Sequence, residues 1–165
     1  MPGNIDAGIR EAFRVFRTDL VAYEAAVRRA VTAPLALHEF DALVSFHYNT
    51  GGIARAALTR HLNAGNRAAA GDGFMGWLKP AAIRSRREAE RDLFRHGRYP
   101  TGTIPVWAVD RNGRVDFSRP VRRLTEPEAL ALLAGSDPRP NPQPQAVVAT
   151  WWQRLIRMFT SKEST

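Results

Sequence analysis

The sequence predicts a mostly α-helical protein with a small β-hairpin appendage. A C-terminal amphipathic helix is predicted to follow, joined to the rest of the chain by a linker. Three observations support this: helical spacing of apolar residues through the first hundred positions, an Asn-Gly turn between two short β-prone runs, and a proline-rich segment before an apolar and basic C-terminus. We divide the chain into a helical lobe (1–99), a hairpin with a short helix (100–135), a linker (136–148) and a C-terminal helix with its tail (149–165).

Five helices are predicted in the first lobe, because apolar residues there recur at intervals of three, four and seven. Pro34 separates the first helix from the second, which carries the aromatic and hydroxyl-rich stretch SFHYNTG and stops at Gly51. The first predicted helix covers residues 6–31, and the second runs from Leu37 through SFHYNTG. The third begins at residue 53 and stops at 63–65, the fourth covers 66–77, and the fifth covers 83–97.

The character of the sequence changes after Tyr99. Val106, Ala108 and Val115 flank Asn112-Gly113, the dipeptide that supplies the positive φ angles of a tight hairpin turn. Thr125 and Glu128 have the spacing of a capping box. This region therefore predicts a two-stranded hairpin followed by a short helix that ends at Gly135.

The C-terminal segment combines a spacer with an amphipathic helix. The stretch SDPRPNPQPQ has proline at nearly every second position, which is typical of a stiff linker. Beyond it, Trp152, Leu155, Ile156 and Phe159 share one helical face, with arginines away from that face. This pattern predicts either an interfacial helix on an anionic membrane or a helix that docks onto its own domain.

A formal net charge of +8, carried mainly by arginine, favours a polyanionic partner: nucleic acid, anionic lipid or an acidic cell-wall polymer. With no cysteine, the chain has neither a disulfide nor a thiolate site. No secretory signal and no membrane-spanning run is seen, so we expect a cytoplasmic protein until it is released or exported to the wall.

Neither a metal nor a cofactor is predicted. The four histidines (His38, His47, His61 and His96) lack a close pair backed by carboxylates in a familiar ligand spacing, and no phosphate-binding glycine loop occurs. An arginine run, Arg84, Arg86, Arg87 and Arg91, is the strongest indication of nucleic-acid binding. We favour a solvated helix face in which Glu88, Glu90 and Asp92 partner these arginines, which makes a nucleic-acid partner the less favoured interpretation.

Several motifs, in order, resemble the larger helical lobe of phage-type lysozymes, the endolysin-like muramidases of glycoside hydrolase family 24. FDALVSFHYNTG is similar to that family's FDALVSFxFNxG helix, LNAGNRAAA to its LNAGDxxxA turn, and RREAERDLF to its RRxxExxLF closing helix. The resemblance covers roughly Phe13 to Tyr99. It implies a lysozyme-like helical lobe and cleavage of the bond between N-acetylmuramic acid and N-acetylglucosamine in peptidoglycan, without a cofactor.

The resemblance also implies a substrate-binding set. Asn49, Trp77 and Arg86 fall at positions where the family lines its glycan and peptide cleft, whereas Phe46 packs in the lobe. An amide, an indole face and a guanidinium suit a substrate of sugar rings, N-acetyl groups and peptide carboxylates. For Trp77, a plug in the core is the competing interpretation.

One part of the family pattern has no match. The family's catalytic glutamate is followed by a β-hairpin lobe with a pattern like E-G … Y … G-x-G-x-T, and nothing of that kind precedes Phe13. Glu11 is not assigned as the acid, so the catalytic residues stay unassigned and we expect impaired hydrolysis. The alternatives are a truncated lobe that binds peptidoglycan without cutting it, and a basic nucleic-acid-binding module.

Overall fold

A computed structural model describes residues 5–110 and 112–135, and it confirms the mostly α fold class with a small antiparallel β element. The predicted linker and the predicted C-terminal amphipathic helix lie outside the described residues. Within the described part of the chain, no helix is long and apolar enough to span a bilayer.

Six α-helices, three 3-10 turns and four short strands make up the described residues. The helices are α1 Ile5–Ala30, α2 Leu37–Thr50, α3 Ala57–Asn63, α4 Arg67–Gly73, α5 Arg84–His96 and α6 Glu126–Ala134. The 3-10 turns are Ile53–Arg55, Phe74–Gly76 and Ala81–Ile83, and the strands are β1 Ile104–Val106, β2 Ala108–Val109, β3 Val115–Asp116 and β4 Arg122–Leu124.

The helix α2 forms the centre of the lobe and packs against α1 and α5. Its residues from Glu39 to Phe46 are all buried, on every side of the helix, as expected for a helix surrounded by others. Gly51 ends it in the left-handed conformation (φ 61°), donating its N–H to the His47 carbonyl oxygen at 2.7 Å. The stretch SFHYNTG is therefore the C-terminal end of a core helix: Ser45 and Phe46 are buried, and Asn49 is exposed at the protein surface.

Two of the predicted helices are shorter than the apolar spacing indicated. The third is divided at Ala56, which is extended (φ −69°, ψ 140°), because the Ile53 carbonyl accepts a side-chain hydrogen bond from Thr59 at 2.6 Å instead of continuing the helix. The fourth ends at Gly73 in a 3-10 turn. Gly73 lies so close to α3 that an added Cβ would be 2.7 Å from the Leu58 Cβ, so only glycine allows this approach.

The predicted hairpin is confirmed and is longer than expected. β2 pairs antiparallel with β3 around the turn, where Gly113 has φ 77°. Outside this pair, β1 pairs antiparallel with β4, with Ile104 opposite Leu124. The predicted capping box at the start of α6 is also present, with the Thr125 N–H donating to Glu128 Oε2 at 2.8 Å. The helix α6 then packs its buried Ala129 and Leu133 against the first half of α1.

Candidate functional site

The three predicted site residues lie around the contact between α2 and α5. Asn49 is exposed in the last turn of α2, Arg86 is partly exposed in the first turn of α5, and Trp77 is half-buried just after the Phe74–Gly76 turn. Arg87 links Asn49 to Glu90, which also binds Arg86. These contacts place Asn49 and Arg86 in one hydrogen-bonded network.

Glu90 is the centre of this network. Its side chain is fully buried, and its Oε1 accepts hydrogen bonds from Ser45 Oγ at 2.7 Å and from Arg86 Nε at 3.1 Å, while Oε2 accepts from Arg87 Nη1. Burial raises the pKa of Glu90, and the two guanidinium groups and the Ser45 hydroxyl act in the opposite direction. We interpret Glu90 as a carboxylate, because both guanidinium groups carry only donors and keep their charge.

Arg87 is the residue that connects the core to the surface. Its side chain is 0% exposed, and its guanidinium lies over the Phe46 ring, 5.1 Å from the centroid. Nη1 donates to Glu90 and Nη2 donates to Asn49 Oδ1, whereas Nε has no hydrogen-bond partner in the described residues. Burial lowers the pKa of Arg87, and Glu90 opposes that effect.

Trp77 combines packing with partial exposure. Its ring meets the buried Phe46 ring edge-on, with centroids 5.3 Å apart and an interplanar angle of 86°. The Arg55 guanidinium lies 5.5 Å from the indole centroid. Phe46 thus contacts both Trp77 and Arg87, which connects the third predicted site residue to the network, and Phe46 itself packs in the core as expected.

An aromatic cluster extends the site toward α1. Tyr48 packs edge-on against Phe16 at 5.3 Å and against Tyr23 at 4.9 Å, and Tyr23 also contacts His47 at 5.2 Å. Burial, together with the charge of Asp19, raises the pKa of Tyr48, while Arg86 lowers it. Tyr48 immediately precedes Asn49 at the end of α2, so the cluster lies next to the candidate site.

The arginine run on α5 is only partly the solvated face that was predicted. Arg84 is 61% exposed and pairs with Glu88 at 3.7 Å, as expected. For Arg87 and Glu90 the prediction was wrong, since both are fully buried. The helical period could have identified them, because they share the stripe of Ile83 and Phe94 at intervals of four, three and four. Ser45, the partner of Glu90 on α2, carried no such signal.

Four acids on α1 and α2, Glu11, Glu24, Glu39 and Asp41, lie in different environments. Glu11 is exposed, and its hydrogen bond from Arg14 lowers its pKa. Glu39 is held by Arg67 at 2.9 Å, and the fully buried Asp41 accepts a hydrogen bond from the Tyr99 hydroxyl. Glu24 differs, because partial burial raises its pKa. Across the described ranges, no cluster of three or more His, Cys, Asp or Glu suited to a metal is present.

A separate groove lies between the start of α1 and the hairpin. It has a volume of about 670 Å³, and Ile9, Phe13, Trp107 and Val109 are among its mostly apolar lining residues. Asn49, Trp77 and Arg86 do not line it. None of its lining residues is charged, so it offers no ionic partner for a carboxylate, and we place the candidate site, which includes Arg86, at the α2 and α5 contact.

Comparison with known proteins gives consistent similarities. The sequence model of the phage lysozyme family matches residues 6–90, which is 85 of 165 residues. The endolysin of Salmonella phage P22 is 38% identical over 86 residues, covering 48% of this chain and 59% of that protein. The endolysin of Bacillus phage B103 is 34% identical over 94 residues (53% of this chain, 36% of that protein), and the SAR-endolysin of Escherichia phage Mu is 33% identical over 91 residues (51% and 53%). The chain thus spans between about a third and three fifths of the length of these relatives.

Proposed function

Because the chain belongs to the phage lysozyme family, we propose that it is a peptidoglycan-directed glycoside hydrolase whose α2 and α5 surface binds the wall polymer. The bond we assign is that between N-acetylmuramic acid and N-acetylglucosamine. The observation that carries this proposal is the buried network of Ser45, Arg87 and Glu90, which holds Asn49 and Arg86 at one surface. All of these residues lie within the part of the chain that matches the family.

The exposed groups around this network suit peptidoglycan chemically. The Asn49 amide can hydrogen-bond to an N-acetyl or peptide group, and the Trp77 indole offers a flat apolar surface to a sugar ring. Arg86 is 21% exposed, so it can bind a stem-peptide carboxylate while its Nε stays on Glu90. The three groups thus supply the three kinds of contact that the polymer requires.

We also propose that this chain alone hydrolyses the wall weakly. Glycoside hydrolysis uses a protonated carboxyl group and a second carboxylate about 5–10 Å away on the other side of the scissile bond. Glu11 has a lowered pKa and is a poor proton donor at neutral pH. Glu24 has a raised pKa, but it pairs with Arg28 on α1 at 3.9 Å. A lobe that binds the wall without cutting it is therefore the nearest alternative.

Nucleic-acid binding is supported less well. Phosphate-binding proteins present clustered arginines and lysines on an exposed surface. On α5, Arg87 is buried, Arg86 is bonded to Glu90, and Arg84 pairs with Glu88. These contacts neutralise much of the arginine run that suggested this alternative.

The C-terminal segment carries a separate proposal, the binding of anionic membranes. Its sequence offers an apolar set (Trp151, Trp152, Leu155, Ile156 and Phe159) beside the cations Arg154, Arg157 and Lys162. This combination is typical of helices that lie in the interface of anionic bilayers.

Binding to purified peptidoglycan sacculi tests the wall proposal. Arg86→Gln removes the charge that faces solvent, and we expect about tenfold weaker binding, the size of one charge-assisted hydrogen bond. Arg84→Gln, on the exposed face of the same helix, is the matched control and is expected to bind like the wild type. Trp77→Ala is expected to weaken binding as well. Unchanged binding with a lowered melting temperature for both Arg86→Gln and Trp77→Ala would make these residues part of the core only.

A further inference from the structure

The contact between Arg87 and Asn49 fixes which hydrogen-bonding atoms the site offers. We propose that Asn49 acts as a hydrogen-bond donor that recognises an amide carbonyl of the wall polymer, and that buried Arg87 is the positioning residue that sets this polarity. The inference rests on the proposed function, because it names the group that the same site recognises.

The orientation of the Asn49 amide follows from the chemistry of its partner. A guanidinium carries five N–H donors and no acceptor, so the atom of Asn49 that meets Arg87 Nη2 must be the carbonyl oxygen Oδ1. The amide nitrogen Nδ2 then points away from Arg87. Since Asn49 is exposed and Nδ2 has no acceptor among the described residues, its two N–H groups are available on the solvent side of the site.

Arg87 has little freedom to release the amide. Its Nη1 is held by the buried Glu90 carboxylate, and its planar face lies on the Phe46 ring. A rotation of Asn49 by half a turn about its last side-chain bond would bring N–H donors against the guanidinium and leave Nη2 without an acceptor. Because both Arg87 and Glu90 are fully buried, water cannot readily replace that lost bond.

A donor pair on the surface selects carbonyl acceptors. In peptidoglycan, amide carbonyls occur in the acetamido groups of the sugars and in the stem peptides, and both present the same oxygen to an N–H donor. Sugar hydroxyls can donate as well as accept, so they do not require this polarity. The site is therefore built for an amide carbonyl, from one of these two sources.

Asn49→Asp tests the polarity directly. Aspartate has the same shape and keeps an oxygen toward Arg87, but it has no N–H to offer the ligand. Uncharged N-acetylglucosamine oligomers are the first probe, because they exclude repulsion between the new charge and an acidic peptide. We expect the melting temperature to stay level or rise, and binding of the oligomer to fall about tenfold if the carbonyl is an acetamido group.

The peptide source is separated by a second probe. Peptidoglycan fragments that carry stem peptides are compared with glycan strands from which the peptides have been removed by an amidase. If the carbonyl belongs to the peptide, Asn49→Asp loses affinity for the peptide-bearing fragments only. The ¹⁵N resonance of the Asn49 side-chain amide is expected to shift on adding whichever fragment binds it.

The role of Arg87 is tested with the site residue left intact. Arg87→Lys keeps a positive charge beside Glu90 but cannot reach both Glu90 and Asn49 with one planar group. We expect weaker fragment binding and a changed Asn49 side-chain amide resonance in the free protein, whereas Arg84→Lys on the exposed face changes neither. Wild-type affinity in both Asn49→Asp and Arg87→Lys would overturn the inference. No binding of any fragment by the wild type would overturn the proposed function and this inference with it.

Discussion

Gly52 lies directly against the indole ring of Trp77: a Cβ added to Gly52 would be only 2.5 Å from Cη2 of that ring. The backbone of Gly52 (φ −101°, ψ 3°) is accessible to alanine, so the ring rather than the backbone must move. We predict that Gly52→Ala displaces the Trp77 side chain and weakens sacculus binding several-fold, with little change in the melting temperature. The indole N–H resonance of Trp77 reports the displacement.

Gly76→Ala is the matched control for this change. Gly76 is the residue before Trp77 in the sequence, but a Cβ added to Gly76 would meet no atom within 4 Å. We expect wild-type binding and an unmoved indole resonance. A displaced ring in Gly52→Ala with undiminished binding would show that Trp77 does not contact the polymer.

His47 predicts how the stability of the fold depends on pH. Partial burial and the charge of Arg29 lower its pKa, and its Nδ1 faces the Ile53 backbone N–H at 3.4 Å, a contact that requires an unprotonated nitrogen. The unfolded chain therefore takes up a proton more readily than the folded one below about pH 6.5. The contribution of neutral His47 to the free energy of unfolding is therefore complete above about pH 6.5, and it is lost as the pH falls toward the lower pKa of His47 in the folded state.

Thermal melts test this at about pH 7.5 and about pH 5.5. We expect the melting temperature of the wild type to drop between the two, and His47→Gln, which keeps an acceptor for Ile53, to show a smaller drop. His61 is exposed on α3, so His61→Gln is the control and is expected to retain the full drop. Identical pH dependence in wild type and His47→Gln would assign the effect to other groups.

Catalysis by this chain alone is predicted to be slow. A wall suspension is expected to clear far more slowly with this chain than with an active lysozyme of the family, because Glu11 has a lowered pKa and Glu24 is paired with Arg28. Rapid clearing by the chain alone that is abolished by Glu24→Gln or Glu11→Gln would instead assign catalysis to that acid.

Membrane binding is predicted to depend on the C-terminal segment. In a flotation assay with anionic liposomes, the full chain is expected to float and a protein ending at Gly135 is expected to remain at the bottom, because the latter lacks the apolar and basic residues after the linker. Neutral liposomes serve as the control for the electrostatic part. Equal behaviour of the two proteins would remove the membrane role and favour docking of the segment onto its own domain.

The sequence predicted most of the fold because its signals are local. The apolar period indicated the helices, Asn112-Gly113 indicated the turn, and Thr125 with Glu128 indicated the start of α6. The break at Ala56 was missed, because it depends on a bond from the Thr59 side chain that no periodicity shows.

The contacts around the proposed site residues could be predicted only in part, for a related reason. Asn49, Trp77 and Arg86 came from the family motifs, and the structure connects them through Phe46, Arg87 and Glu90. Charged residues are expected in water unless a partner is buried with them. The apolar stripe of α5 could have indicated that Glu90 is buried, but its partner Ser45 lies on another helix, 45 residues away, and could be identified only from the folded structure.

The proposed recognition of peptidoglycan is tested most directly by sedimentation of the wild-type chain with purified sacculi as salt is raised, with excess duplex DNA as competitor. Binding to phosphates weakens steeply with salt, by about a thousandfold or more between 50 and 200 mM for six to ten contacts. Recognition through an amide, an indole and one guanidinium predicts that the protein still sediments with sacculi at 200 mM salt and is not displaced by DNA. Release of the protein by salt or by DNA would contradict the account and favour a basic nucleic-acid-binding module.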